Sequence, residues 1–246
     1  VVAYLFIVTA GSWPILVKVG EGWRFATHWA GWSAIDSLQR ITFIPHVIFG
    51  QIFLLLFIWM FSDKLPKSFK LLMWGVVGLI AGIIFPPILI VLYTIFTVLS
   101  VLEFIFLRRS NLQRGSTSLA GWFQNILPRI VFIFFSIPAL LYLQVMFKVL
   151  PWSALALFDI QHRSILPYAE YALSLGPMLP LGLAGLVLAF IKRERKFFPF
   201  VSWILSLGIL FAVFENVPQQ SPTRFTQMMI TVPLGILATY LFYQLW

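Results

Sequence analysis

The chain has 246 residues, of which 61% are hydrophobic and only 10% are charged, against roughly a quarter charged in an ordinary soluble domain. Lipid rather than water can cover a surface this apolar, so the composition excludes an ordinary soluble protein and indicates a membrane protein. The formal net charge of +9 comes from basic residues in short loops between apolar stretches. That distribution follows the positive-inside rule and argues against nucleic-acid binding.

Eight apolar stretches follow one another along the chain, each close to the ~20 residues that a helix needs to cross a membrane. They nearly fill the chain, so we expect a single transmembrane domain over residues 1–246. The fold class expected is all-α, a polytopic transmembrane helix bundle of about eight crossings with short interfacial helices. Because the sequence starts inside an apolar stretch, we also expect it to be the C-terminal portion of a longer chain. The stretches lie at 1–19, 42–62, 70–85, 87–107, 129–149, 172–191, 197–215 and 226–246.

Two adjacent prolines divide the long apolar region at 70–107. As one helix this region would extend ~57 Å, nearly twice the ~30 Å hydrocarbon core. The residue before a proline is disfavoured in helical conformation. We therefore predict two helices joined by a tight turn at Phe85, Pro86 and Pro87.

Alternating crossings would put the three compact basic loops, at 63–70, 108–118 and 192–196, on one side of the membrane. The positive-inside rule makes that side the cytoplasm, and we expect the membrane to be the bacterial inner membrane. The loops of the other side are longer and mix acids with their cations. The tryptophan-rich loop at 20–41 is predicted to lie at the membrane interface, and so is the inner segment at 116–128.

Polar residues at the boundary of the non-cytoplasmic side are the first candidates for function. Arg40 and His46 flank the start of an apolar helix that opens with Pro45, so His46 would lie about one turn inside the membrane and could contact a ligand. The alternative is that Arg40 snorkels and His46 bonds a neighbouring helix. Both readings stay open.

The segment from Glu215 to Phe225 is the densest polar run between two strongly apolar helices. Arg224 lies where the last helix is predicted to begin, with Gln220 shortly before it. A guanidinium there can hold a phosphate or diphosphate by paired hydrogen bonds, which we favour over a solvated turn facing lipid headgroups.

Two further groups of charged residues are interpreted as structural. One outer loop brings Asp159, His162 and Arg163 together, a mixture that ordinary loops also contain. Glu103 lies inside an apolar helix near its cytoplasmic end, where it could pair with Arg108 or snorkel to the interface. The sequence has no metal-ligand spacing, no Walker-type glycine loop and no Gly-x-Ser-x-Gly motif.

The C-terminal part of the chain resembles a family of large membrane enzymes. The similar features are Pro167–Tyr171, a helix spaced by Gly182 and Gly185, a short KRERK loop, a helix with Trp203, and Arg224 at the start of the last helix. In these features the chain resembles the GT-C superfamily of polytopic glycosyltransferases, which use polyprenyl-phosphate-linked sugars. The resemblance covers about residues 40–246 and includes the helix start Phe43–His46.

The resemblance implies sugar transfer from a lipid-phosphate donor on the outer face of the membrane. Arg224, together with Arg40 or Arg163, would hold the donor phosphate, and His46 and Gln220 would complete the substrate site. A carboxylate would act as the base, for which the first outer loop offers Glu21 and Asp36 unless the equivalent lies upstream. No particular cofactor is implied, a divalent cation is compatible with this chemistry, and the expected partners are membrane lipid and the sugar donor.

Two other classes of function remain as alternatives. A transporter or flippase predicts ionisable groups near the middle of the bilayer and broken helices around a central site. A non-catalytic membrane scaffold predicts that Arg224 and His46 can both be replaced without loss of function.

Overall fold

The structure is a computed structural model that describes residues 1–8, 10–27, 45–63, 68–114, 119–163, 165, 167–217 and 221–246. Helices form most of it, as the all-α expectation requires, and one β-hairpin lies near the N-terminus. The two hairpin strands are β1 (Pro14–Val19) and β2 (Gly22–Thr27). The helices are α1 (Val2–Val8), α2 (Pro45–Asp63), α3 (Ser68–Ile84), α4 (Pro87–Arg114), α5 (Leu119–Met146), α6 (Trp152–Gln161), α7 (Tyr168–Ser174), α8 (Met178–Ile191), α9 (Phe198–Glu215) and α10 (Thr231–Leu245).

The first apolar stretch does not form the membrane crossing predicted over residues 1–19. Helix α1 has only seven residues, and β1 pairs antiparallel with β2 from Pro14 opposite Thr27 to Val19 opposite Gly22. Pro14 cannot continue a helix, and the β-branched residues that follow it favour a strand. Gly20 opens the two-residue loop with a positive φ of 62°, a conformation that glycine adopts without strain.

Two other predicted connecting segments contain helix. In the inner segment at 116–128, α5 begins at Leu119 and continues through Pro128 and Pro138. Proline is tolerated in membrane helices when neighbouring groups satisfy the freed carbonyl. In the outer loop at 150–171, the alternating Ala and Leu residues form helix α6. Of the first outer loop at 20–41, residues 28–41 lie outside the part of the chain that the structure describes.

The apolar region at 70–107 is divided as predicted. Phe85 and Pro86 lie outside the helices, and Pro87 is the first residue of α4. The amides of Ile88 and Leu89 donate to the carbonyls of Phe85 and Pro86, which closes a tight turn. The absence of an amide hydrogen suits a proline to the first helical position.

Contacts with α5 show that the chain reverses direction at this turn. Gly75 of α3 lies against Phe135, and Gly82, two turns further on, lies against Ala139, so α3 and α5 run parallel. Along α4 the order is opposite, because Tyr93 near its start bonds Ser136. Phe104, further along α4, contacts Trp122 near the beginning of α5. Helices α3 and α4 are therefore antiparallel, as two separate passes joined by a tight turn should be.

Helices α8 and α10 run parallel and pack unusually closely. Gly182 lies against Leu234, and Gly185 lies against the backbone of Leu237. A Cβ atom at Gly185 would be 2.0 Å from the Leu237 carbonyl oxygen, so only glycine permits this approach. Helix α9, which lies between these two helices in the sequence, buries Trp203 completely.

Helices α7 and α8 meet at a bend of 92°, which is the geometry of a broken span or of a re-entrant loop. Gly176 stands at the bend with a φ of 59°. The N-terminal segment is seated against it, because a Cβ at Gly176 would touch the Gly11 carbonyl oxygen and the Trp13 amide donates to Leu173 at 3.0 Å.

Three of the described helices are long and apolar enough to cross a membrane, or four passes if the bent pair counts as one. Eight crossings are not confirmed. Large apolar side chains face outwards, such as Phe134 at 70% exposure, as expected where lipid is the solvent. The three qualifying segments are Pro87–Phe106, Ile126–Met146 and Arg195–Glu215.

The bundle has two chemically different ends. We call the basic end the one at which α2, α4 and α8 finish and α3, α5 and α9 begin, which is where all three predicted basic loops attach. Phe106 of α4 and Phe198 of α9 meet there, with ring centroids 4.8 Å apart. The opposite end holds the α3–α4 turn, helices α6 and α7, and the segment between α9 and α10.

Candidate functional site

Arg163 lies at the opposite end of the bundle and binds the C-terminus of α9. Its Nη2 donates to the carbonyl oxygens of Phe214 at 2.8 Å and Glu215 at 2.5 Å. The last carbonyls of a helix lack intrahelical partners and form the negative end of its dipole, so a guanidinium is well placed there. Its Nε is buried and has no hydrogen-bond partner among the described residues.

The side chain of Glu215 is held from another helix. The hydroxyl of Tyr168, at the first position of α7, donates to Glu215 Oε2 at 2.5 Å. A hydrogen bond to a carboxylate is shorter and stronger than one between neutral groups. The bond therefore orients a carboxylate beside the helix end that Arg163 contacts.

Arg224 is brought to the same helix end by the packing of its neighbour. It belongs to the 3₁₀ turn Pro222–Gln227 and is half-buried. The next residue, Phe225, packs on Phe214 with ring centroids 4.7 Å apart. The segment is also anchored by the indole of Trp203, which donates to the Met228 carbonyl at 3.0 Å. Arg163 and the segment that carries Arg224 thus both contact the C-terminal residues of α9, the last of which is Glu215.

The other residues proposed from the sequence are not assembled into this group by the structure. Asp36, Arg40 and Gln220 lie outside the described residues. His46 is the second residue of α2, but its side chain is outside the description. Glu21 occupies the exposed loop of the β-hairpin. Of the seven candidates, Arg163 contacts the end of α9 directly, and Arg224 belongs to a segment that packs on the same helix end through Phe225.

The described residues do not provide a set of ligands for a divalent cation. Within the described ranges, no group of three or more His, Cys, Asp or Glu side chains could hold a metal ion. Glu215 is a carboxylate at the helix end that Arg163 contacts. A carboxylate in this position can act as a base or as a hydrogen-bond acceptor.

Near the basic end, Glu103 and Arg129 form a bidentate ion pair between α4 and α5. Nη1 and Nη2 of Arg129 each approach a different carboxylate oxygen at 2.8 Å. Nη1 also donates to Ser100 Oγ at 2.9 Å, and the Trp122 indole donates to the Ser100 carbonyl. Glu103 therefore pairs with Arg129, a partner that the sequence analysis does not anticipate. The structural role predicted for Glu103 fits this pairing.

A third polar group lies at the bend between α7 and α8. The hydroxyls of Tyr171, Ser174 and Ser12 are buried, and within the described part of the chain none has a hydrogen-bond partner. Ser174 is only 2% exposed, and Tyr171 packs on Phe211. Sequence inspection did not single out these residues, because isolated hydroxyls in apolar stretches carry no spacing signal.

Comparisons with models of known protein families, with curated proteins and with solved structures find no match to this chain.

Proposed function

We propose that the protein is a membrane glycosyltransferase of the GT-C type that takes its sugar from a polyprenyl-phosphate-linked donor at the opposite end of the bundle. In this proposal the basic end faces the cytoplasm and the membrane is the bacterial inner membrane. The observation that carries the proposal is that Arg163 and the segment with Arg224 both contact the C-terminus of α9, which ends in Glu215. Two cations beside one carboxylate suit a phosphate leaving group and a base.

Each residue has a defined part in the proposed reaction. The acceptor hydroxyl gives its proton to the Glu215 carboxylate, and its oxygen forms the new bond to the anomeric carbon. The bond from that carbon to the phosphate oxygen breaks, and its electron pair leaves on the polyprenyl phosphate. Arg224 binds this phosphate, and the charge of Arg163 stabilises it from the helix end.

Binding of the lipid phosphate tests the part assigned to Arg224. The protein would be reconstituted in nanodiscs with polyprenyl monophosphate or with the corresponding polyprenol as the phosphate-free probe. Losing one charge-assisted hydrogen bond should weaken monophosphate binding in Arg224→Gln by about tenfold or more. Arg24→Gln removes the same charge from the exposed hairpin strand and should bind normally. Equal binding by the two variants would contradict the proposal.

Sugar transfer tests the part assigned to Glu215. In Glu215→Gln the side chain can still accept the Tyr168 hydrogen bond but cannot take a proton. We expect transfer to fall by about 10²- to 10⁴-fold while donor binding is retained. Unchanged transfer would exclude Glu215 as the base and return that role to Asp36 or Glu21.

A transporter or flippase is the second candidate, and the 92° bend with its buried hydroxyls favours it. The ion pair argues the other way, because Glu103 and Arg129 each lie about one turn from the basic end of their span rather than at its middle. Proteoliposomes separate the two functions. A transporter moves the lipid-linked sugar with its glycosidic bond intact, whereas the proposed enzyme cleaves that bond. A scaffold would do neither, and replacement of Arg224 and His46 would leave it functional.

A further inference from the structure

Helix α8 ends at the basic end with a hydrogen-bond pattern that normally contains glycine. The amide of Glu194 donates to the Ala189 carbonyl at 3.0 Å, and the amide of Arg193 donates to the Phe190 carbonyl at 3.1 Å. These two bonds define a Schellman motif. Its left-handed position is occupied by Arg193, with a φ of 53°.

An arginine at this position is a costly choice for the backbone. Glycine is the usual residue there, because a Cβ atom crowds the backbone in the left-handed conformation. The cap would form at least as well with glycine. The side chain of Arg193 therefore has to contribute something that the cap itself does not need.

The four basic side chains between α8 and α9 differ in their contacts with the rest of the protein. Lys192 binds the side chain of Gln244 in α10, and Lys196 pairs with Glu194 at 3.5 Å while lying over the Phe197 ring. Both lysines are thus engaged within the protein. Arg193 and Arg195 are exposed, and within the described residues the structure gives their side chains no hydrogen-bond, ion-pair or ring contact.

Aromatic packing fixes the backbone that carries the two arginines. Phe197 packs on Tyr240 with ring centroids 4.3 Å apart. Phe198 contacts Phe106 at 4.8 Å and Phe190 at 6.3 Å. Arg193 and Arg195 are separated by one residue, Glu194. Both therefore lie in an ordered turn between two apolar helices, at the level where a membrane surface would lie.

We infer that Arg193 and Arg195 bind the headgroup phosphate of an anionic phospholipid. A guanidinium matches the geometry of phosphate oxygens with paired donors, and two of them together suit a phosphodiester. Juxtamembrane cations attract anionic lipid, and the position between apolar helices selects a lipid over a phosphate in solution. This lipid site is at the basic end of the bundle, whereas the proposed transfer site is at the opposite end. The inference therefore does not depend on the proposed function.

The test compares two double variants that lose the same charge. Wild type, Arg193→Gln/Arg195→Gln and Lys192→Gln/Lys196→Gln would be placed in nanodiscs of phosphatidylcholine and phosphatidylglycerol. The enrichment of phosphatidylglycerol around the protein would be measured with spin-labelled lipids. We expect the arginine variant to lose the enrichment by about tenfold and the lysine variant to change by less than about twofold. Equal losses would mean a general electrostatic field and would overturn the inference.

Two further measurements keep the result interpretable. Arg193→Gly restores the usual cap residue, so it should unfold at the same or a higher temperature and still lose the enrichment. If this variant keeps the enrichment, Arg193 is not a ligand and the inference fails. Inorganic phosphate should not displace the labelled lipid; displacement would identify a site for free phosphate and would overturn the lipid assignment.

Discussion

The protein uses the guanidinium groups at its two ends in different ways. At the basic end, Arg129 is 4% exposed, and its charge is neutralised by both oxygens of Glu103. At the opposite end, the contacts that the described residues make with the Arg163 guanidinium are carbonyl oxygens, which supply partial charges, while the Glu215 carboxylate is bound by Tyr168. Arg129 is paired with a full negative charge and joins two helices. Arg163 is held by the end of a helix, where its charge can also act on an anionic ligand.

The largest effect on stability should come from removing one partner of the Glu103–Arg129 ion pair. In Arg129→Met, Glu103 is left uncompensated, and we expect a loss of ~3–5 kcal/mol in the free energy of unfolding. Denaturant unfolding in detergent measures it. The double variant Glu103→Leu/Arg129→Met removes both charges and should recover most of the loss. If single and double variants are equally unstable, packing rather than the ion pair holds α4 to α5.

A smaller effect is expected from Arg163 at the opposite end. Arg163→Gln loses both bonds to the end of α9, and we expect ~1–3 kcal/mol of destabilisation together with weaker binding of polyprenyl monophosphate. Arg163→Lys is the matched control, because it keeps the charge but replaces the planar guanidinium, whose Nη2 donates both bonds, with an ammonium group on a different side chain. It should retain most of the phosphate binding while losing part of the stability. Full stability in both variants would show that the carbonyl contacts contribute nothing.

The smallest effect is expected at Tyr168, which is exposed to solvent. Tyr168→Phe should leave the unfolding temperature unchanged, because water can replace a hydrogen bond that is itself exposed. The rate of sugar transfer should fall by about fivefold or less, since Glu215 loses its orienting donor. Tyr142→Phe, at an exposed position of α5, should leave the rate unchanged. A rate in Tyr168→Phe equal to wild type would separate Tyr168 from the site.

The separation of the partners explains what sequence reasoning found and missed at these sites. Arg224 is a candidate because it lies in a polar segment beside an apolar helix. The loop of Arg163 is interpreted as structural, so Arg163 becomes a candidate only through the family resemblance. The ion pair was missed, because Arg129 is 26 residues from Glu103 whereas Arg108 was the near neighbour. The bonds to the end of α9 cross 51 and 52 residues, and no local spacing indicates them. The Schellman motif at Arg193 could not be predicted from the sequence for another reason. Glycine usually occupies its left-handed position, and this loop has no glycine there.

The sequence by itself determined the membrane class, the positions of most helices and the break at Pro86. These properties depend on hydrophobicity summed over about one helix length and on the missing amide hydrogen of proline, which are both local. Only the tertiary structure decided that residues 14–27 pair as a hairpin, that α8 and α10 run parallel, and which charges meet. Those outcomes depend on side-chain packing and ion pairs between segments that are distant in the chain. Such interactions form only once the helices are assembled, so no local sequence pattern indicates them.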